Sequence, residues 1–340
     1  MRISWIKTAA LITLIGIAGA ILGGCGIESK AKSTGEEDKV LQYNSTPGSV
    51  SFPELAEELG YLGDLKLESI GSSTGGPEMI QLTATKQSDF GSAFNGAIIK
   101  AISQGVKIKS VIGSYGSDKN TYVGAYVLEG SPIQATKDFI GKKVGMNTLG
   151  AHLEFVIKDY LRQGGLSEKE ISQVTLMTVP SSNAEQILRS KQIDILLTSG
   201  ITRDRALEKG GLVELFKDID VYHTNFTAGD YFFTEEYIKN NPNTVKQFVE
   251  GVAKAIEWER TTQREEVISH FKSIVEKRDG KDATANLKYW KSTGIATKGG
   301  VITPDEYQRW IDWLVANGEL KKGQAKPENL YTNEFNPYAK

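Results

Sequence analysis

The sequence predicts an α/β protein: two runs of alternating strands and helices, each building a parallel-rich sheet, followed by a mainly helical C-terminal part. Three observations carry this. Between residues 40 and 216, short apolar or alternating segments are interleaved with segments of helical apolar spacing, the pattern of strands joined by helical crossovers. Gly164-Gly165 and Gly210-Gly211 each close a helical pattern just before the next strand. From Pro242 onward the strand signals stop and helical periodicity takes over.

In chain order, Val40-Leu41-Gln42-Tyr43-Asn44 is a short strand. After the turn Thr46-Pro47-Gly48, residues 52–62 carry apolar side chains at Phe52, Leu55, Ala56 and Leu59, one face of a helix. Residues 65–70 alternate and read as a strand. The loop 71–76 leads into a helix over 77–85, with Pro77 suited to its first turn. Phe90 opens a strand, 97–104 is a helix, and 109–115 and 122–128 are strands. After Gly130-Ser131-Pro132 come strand 143–146, helix 151–163, strand 174–179, helix 184–190, strand 193–197, helix 203–209 and strand 213–216. Helices follow over 244–262, 265–276 and 305–316. Trp310 and Trp313, three apart on the last, read as core. No repeat of solenoid length is present.

The 340 residues include 40 Lys plus Arg against 42 Asp plus Glu, a net charge of −2, with one Cys. Near-neutrality excludes a dedicated nucleic-acid binder. A hydrophobic share of 39% fits neither a polytopic membrane protein nor a disordered chain. A single cysteine excludes an intramolecular disulfide and a cysteine-rich metal cluster. The start of the chain departs from these averages. Arg2 and Lys7 precede the uncharged run 9–22, which is shorter than the about 20 residues a spanning helix needs and has the length of a signal-peptide core. Leu22-Gly23-Gly24-Cys25 then resembles the lipobox of bacterial lipoproteins, which implies cleavage before Cys25 and a diacylglyceryl group on its sulfur. Two acyl chains suffice for stable anchoring, where one does not. The expectation is a signal peptide over 1–24 and a solvated tether over 25–39. The alternatives are a plain secretory signal and an uncleaved anchor.

Gly71-Ser72-Ser73-Thr74-Gly75 matches the G-x-S-x-G elbow of serine hydrolases and lies between a strand and a helix. His152, His223 and His270 follow it, but only one strand precedes the motif and no glycine-rich oxyanion segment lies between. A phosphate loop is contradicted by Pro77-Glu78 where Lys-Ser/Thr would stand. The remaining reading is a polar-ligand site: a Gly/Ser loop feeding a helix start presents free backbone N–H groups and hydroxyls. Asn147-Thr148-Leu149-Gly150-Ala151 repeats the arrangement in the second half, and two such ends across a cleft would hold a small ligand. Each is also readable as an ordinary capped turn. The histidines are dispersed, without a second histidine or cysteine at ligand spacing, so neither a metal nor any other cofactor is expected.

The order of lipobox, tether, two parallel α/β runs and terminal helices resembles a solute-binding protein of an ABC importer. The local residues resemble the aliphatic sulfonate/nitrate/taurine-binding family, related to the thiamine-pyrimidine binding proteins. Tyr43-Asn44 is similar to its first strand and Gly75-Gly76-Pro77-Glu78-Met79 to its glycine-proline helix start. Asp89-Phe90-Gly91-Ser92-Ala93-Phe94-Asn95 resembles its third strand and ligand loop, and Gly141-Lys142-Lys143-Val144-Gly145 the strand opening its second lobe. Thr148-Leu149-Gly150-Ala151-His152 falls on its ligand-contacting helix start, Ile193-Asp194 with Gly210-Gly211 on another strand–helix unit, and residues 331–338 on its terminal motif. One departure stands out. Ser199-Gly200-Ile201 occupies the place of an aromatic-acid-proline triplet whose aromatic lines the family's ligand site. Arg203 and Arg205 lie just beyond, placed either to meet an anion or to form a solvated helix start.

The resemblance implies a two-lobed, periplasmic-binding-protein-like (type II) fold with a hinge of two crossing segments, near Gly130-Ser131-Pro132 and Ala228-Gly229-Asp230. Lobe 1 would be 40–128 plus 232–340 and lobe 2 would be 129–231. The implied function is non-enzymatic: a monomeric, lipid-anchored receptor on the extracytoplasmic face of the cell membrane, delivering a small anionic solute to ABC permease subunits. Neutral heteroaromatic ligands, such as a thiamine pyrimidine or riboflavin, and a lipid-anchored serine hydrolase using Ser73 are the alternatives. A pyrimidine-synthesising enzyme on the same fold would need a cysteine cluster, and this chain has only Cys25. The expected ligand contacts are Asn44, Ser45, Ser73, Gly75, Gly76, Phe94, Asn95, Thr148, Leu149, Gly150, Ala151 and Ser199.

Overall fold

The computed structural model describes residues 36–73 and 75–339. The expected signal peptide, Cys25 and most of the expected tether lie outside the described residues. Strand β1 (Val40–Ser45) pairs parallel with β2 (Lys66–Ser72) across helix α1 (Phe52–Glu58). Helix α2 (Gly76–Ala84), strand β3 (Phe90–Phe94), helix α3 (Asn95–Ser103) and strand β4 (Ile108–Ser117) follow. Gly76 is required where α2 starts, because a Cβ there would lie 2.7 Å from the Cβ of Ala93 on β3.

The second lobe holds a sheet ordered β7-β6-β8-β5-β9, from β5 (Val123–Leu128), β6 (Lys143–Met146), β7 (Thr175–Thr178), β8 (Ile195–Ser199) and β9 (Leu212–Lys217). Its helices are α4 (His152–Gln163), α5 (Glu168–Ile171), α6 (Ala184–Arg189), α7 (Gly200–Glu208) and α8 (Asp218–Tyr222). The chain then returns as β10 (Phe226–Thr234), which lies between β3 and β4 and antiparallel to both. Helices α9 (Glu235–Asn240), α10 (Pro242–Thr261), α11 (Arg264–Asp279) and α12 (Pro304–Ala316) complete the first lobe. One apolar core joins β1, α1, α10 and α11; a second joins β3, α3, β10 and α12, with Trp310 and Trp313 buried in it; a third fills the second lobe.

In the first lobe β1 and β2 form a parallel pair and the separate sheet β3-β10-β4 is antiparallel throughout; the five-stranded sheet of the second lobe is mixed. β6 is parallel to β7 and β8, but β5 is antiparallel to β8 and β9. The reversed strands, β5 and β10, are the two that follow a crossing, since a chain arriving from the other lobe enters its new sheet against the βαβ direction. This moves the expected boundaries. Residues 123–128 belong to the five-stranded sheet of the second lobe and 226–231 to the sheet β3-β10-β4 of the first, so the crossings fall at 118–122 and 223–225. We therefore propose lobes of 37–117 plus 226–339 and of 123–222. Gly130 does turn the chain, at φ +79°, but inside the second lobe. Ala228-Gly229-Asp230 reads as a loop and is instead buried strand. Glycine stands there because the Tyr115 ring lies 2.2 Å from where its Cβ would be.

The expected tether also ends earlier than residue 39. The Glu37 carboxylate accepts from the Thr244 N–H at 2.7 Å and from Asn243 Nδ2 at 2.7 Å, and the Asp38 N–H donates to Asn241 Oδ1 at 2.9 Å. The Thr244 N–H is a free donor of the first turn of α10, where a carboxylate is favoured. Among the described residues, no helix is long and apolar enough to cross a membrane.

Candidate ligand-binding cleft

A cavity of about 480 Å³ lies between the lobes. Its floor is built from the carboxyl ends of parallel strands, where chain direction changes and side chains point into the crevice. Asn44 and Ser45 come from the end of β1, Thr148 from the loop after β6, and Thr198 and Ser199 from the end of β8. Three helix starts face it: α2 after Gly75, α4 after Ala151 and α7 after Ser199. None has a side-chain hydrogen bond at its N-cap, so their first N–H groups are left for a ligand. The two glycine-bearing loops oppose each other closely: a Cβ on Gly75 would lie 3.3 Å from the Thr148 side chain. The cleft is therefore closed at this point.

Eight of the expected contacts line the cavity: Asn44, Ser45, Gly75, Gly76, Phe94, Thr148, Ala151 and Ser199. Four do not. The Ser73 hydroxyl is buried and donates to Glu78 Oε2 at 2.8 Å. Asn95 is fully buried as the first residue of α3, beside the Asp230 carboxylate. Leu149 is 42% exposed. Gly150 turns the loop at φ +71°, and its N–H donates to Glu154 Oε2 at 2.8 Å. Arg203 and Arg205 do not line the cavity either. Arg203 is buried, donating to the carbonyls of Tyr122 at 3.1 Å and Asn120 at 2.7 Å and to Asp204 at 2.8 Å. Arg205 donates to the carbonyls of Ser181 and Ser182.

Sequence reasoning missed much of the wall. Ser114, Tyr115 and Ser117 come from β4, Tyr122 from the first crossing, and Trp290, Ser292 and Thr293 from a segment far along the chain. A sequence signal existed for His152, next to Ala151; none existed for residues 290–293. His152 stacks on Phe94 of the other lobe, with ring centroids 5.2 Å apart, and its Nε2 lies 3.5 Å from Asp218 Oδ2. Burial pushes the imidazole down to about 3, so it stays neutral. Burial also pushes Asp218 up to about 6, against a hydrogen bond from Ser117 Oγ at 2.6 Å. Among the described residues, no group of three His, Cys, Asp or Glu side chains is placed to hold a metal.

Two α/β lobes, two crossing segments and a polar cleft at the strand ends define the periplasmic-binding-protein fold. The chain belongs to the NMT1/THI5-like family, whose model matches residues 54–265. Solved structures share the fold. The periplasmic aliphatic sulphonate-binding protein SsuA of Escherichia coli is 19% identical, with a TM-score of 0.63 over 86% of this chain and 92% of its own. The periplasmic nitrate-binding protein NrtA of Synechocystis PCC 6803 is 11% identical, with a TM-score of 0.67 over 87% of each chain. A Candida albicans protein described as having the generic periplasmic binding protein fold is 15% identical, with a TM-score of 0.61 over 86% of this chain and 96% of its own. No curated protein sequence matches the chain.

Proposed function

We propose that this chain is the lipid-anchored, extracytoplasmic solute-binding component of an ABC importer, capturing a small solute between its lobes and presenting it to the permease. The observation that carries the reading is the close opposition of the loops leading into α2 and α4, at Gly75 and Thr148, across the inter-lobe cavity. A ligand touching both lobes stabilises the closed form by its differential contacts, and a permease reads that form. The sulphonate and nitrate named for the relatives favour a solute receptor on this scaffold. The leader ending in Leu22-Gly23-Gly24-Cys25 supports lipid attachment at Cys25. The hydrolase reading is weaker, because the side chain that Ser73 bonds is the Glu78 carboxylate, with no imidazole among its hydrogen-bond partners.

A melting-temperature screen against sulfonates, sulfate esters, nitrate, pyrimidines and riboflavin tests the receptor. At least one class is expected to raise the melting temperature. No shift from any class, together with labelling of Ser73 by a covalent serine probe, would instead establish the hydrolase. Palmitate labelling of cells tests the anchor: incorporation is expected and is abolished in Cys25→Ala.

A further inference from the structure

We propose that the solute enters and leaves at one flank of the cleft: the contact between α4 and α12 is a fixed pivot, and the contact between α7 and residues 288–293 is the gate. This rests on the receptor reading and concerns how the lobes part.

The sheet of the second lobe separates the two contacts. The connections β6 to β7 and β8 to β9 run towards opposite edges of that sheet, and each joins parallel strands, since β5 is antiparallel to both β8 and β9. Right-handed crossovers running in opposite directions place α4 and α7 on opposite faces. The packing agrees. Ile195 and Leu197 of β8 join the core that holds Val156 and Ile157 of α4, whereas Leu196 joins the core of α6. Arg205 ties α7 to the carbonyls of Ser181 and Ser182, just before α6.

On the α4 face the lobes share an apolar core. Ala151 and Phe155 of the second lobe are buried in the same cluster as Phe94, Trp310 and Trp313 of the first. The Phe155 ring stacks on Trp313 at 3.7 Å and meets Phe94 edge-on at 4.8 Å. Tyr222 and Phe226, on either side of the second crossing, both pack edge-on against Trp310, at 5.3 and 6.1 Å. Parting the lobes here would expose several buried aromatic side chains to water, each with a large apolar area.

On the α7 face the contact is ionic and exposed. Glu208 meets Lys288 at 3.3 Å, with both side chains more than half exposed, and accepts from the Tyr289 hydroxyl. Asp204 meets Lys291 at 2.8 Å. Ile201 adds a partly buried apolar contact. Exposed charges exchange such partners for water at little cost. Both sides of this contact also line the cavity, with Ile201 and Thr202 from α7 and Trp290 and Ser292 from the segment opposite, so parting them opens the cavity itself. The start of α7 stays tied to the first crossing, because Arg203 donates to the carbonyls of Asn120 and Tyr122; opposite it, Ser292 donates to Asp118 Oδ2 at 2.6 Å. Glu208 lies more than a turn further along α7, so the swing is widest there.

Spin-label distances in the solute-free full chain test the proposal. One pair, Lys209→Cys/Ala285→Cys, spans the gate; the other, Gln163→Cys/Ala316→Cys, flanks the Arg162–Asn317 bond at the pivot. All four positions are exposed, and each pair is carried in a Cys25→Ala chain. Raising NaCl to about 1 M, which shortens the screening length to ~3 Å, is expected to add a longer-distance population at the gate and to leave the pivot pair at one distance. Lys288→Glu, which sets like charges against each other at Glu208, should do the same at low salt. Lengthening at the pivot equal to that at the gate, or no change at the gate in either condition, overturns the proposal. No solute is present, so that failure leaves the receptor reading standing; the receptor reading falls separately, when no class in the melting screen binds.

Discussion

Gly76 shows how a single residue sets the cleft. The start of α2 reaches the cavity only because nothing but hydrogen separates it from Ala93, and Gly76→Val would force a Cβ to within 2.7 Å of the Ala93 Cβ. The expected loss is about 1–3 kcal/mol, the usual range for overpacking a tight contact; denaturant unfolding measures it. His152 and Asp218 make a different prediction. A carboxyl raised from 3.8 to about 6 in the fold lowers stability as pH climbs through that interval, because the folded state holds the proton and the unfolded chain has lost it. An imidazole lowered to about 3 works in the opposite sense: it costs stability at low pH, and that cost fades as pH rises towards 6.5. The two slopes oppose each other near pH 4–6. Asp218→Asn removes one of them, so its melting temperature should gain on the parent as pH rises through that window. A constant gap would mean that Asp218 is ionised throughout. Gly75 and Thr148 stand out in the sequence because glycine-rich loops before helices have a recognisable local pattern, and both line the cavity. Ser73 and Asn95 do not line the cavity: the Ser73 hydroxyl is turned to Glu78 on the first turn of α2, and Asn95 is buried beside the Asp230 strand.

At the scale of elements, β10 is the instructive case. Its segment, Phe226–Thr234, is buried along nearly its whole length, and buried central strands show no polar alternation. With Ala-Gly-Asp at its middle it reads as a turn. The Tyr115 ring and the Ala93 carbonyl against Gly229 explain the glycine, and neither contact is encoded locally. Helices α10, α11 and α12, by contrast, were legible to within a few residues, since their apolar stripes repeat over three turns or more. The start of α10 carries a prediction. Glu37 caps it from outside the helix, so Glu37→Ala should lower stability by about 0.5–1 kcal/mol, the range of a lost N-terminal cap. Urea unfolding of the variant against the parent checks it. An unchanged midpoint would show that residues 37–38 do not hold this end of the helix.

The whole molecule adds contacts that no single lobe contains. Lys291 of the first lobe pairs with Asp204 of α7 at 2.8 Å, and Lys288 pairs with Glu208 at 3.3 Å, with the Tyr289 hydroxyl also donating to Glu208. On the other side, Phe155 of α4 stacks on Trp313 of α12 with centroids 3.7 Å apart. The charged contacts are partly exposed, so each contributes little, about 0.2–1 kcal/mol. Lys291→Glu should accordingly weaken solute binding two- to fivefold by shifting lobes towards the open form, and Lys291→Arg, which keeps the charge opposite Asp204, should leave it unchanged. Unchanged affinity in Lys291→Glu would show that the pair does not favour closure. The family resemblance implied the two-lobed plan, but not the crossing points. They are fixed by which sheet each strand joins.

The central claim is that solute is held between these lobes and that closure retains it. Gly75 and Thr148 allow a direct test, because their Cβ positions would be 3.3 Å apart, near the ~3.5–4.5 Å that a disulfide spans. The measurement is the release rate of the solute giving the largest melting shift, after Gly75→Cys/Thr148→Cys in a Cys25→Ala chain is oxidised with that solute present. The oxidised protein is expected to retain the solute and to release it on reduction. Release at the same rate before and after reduction would place the binding site outside the cleft.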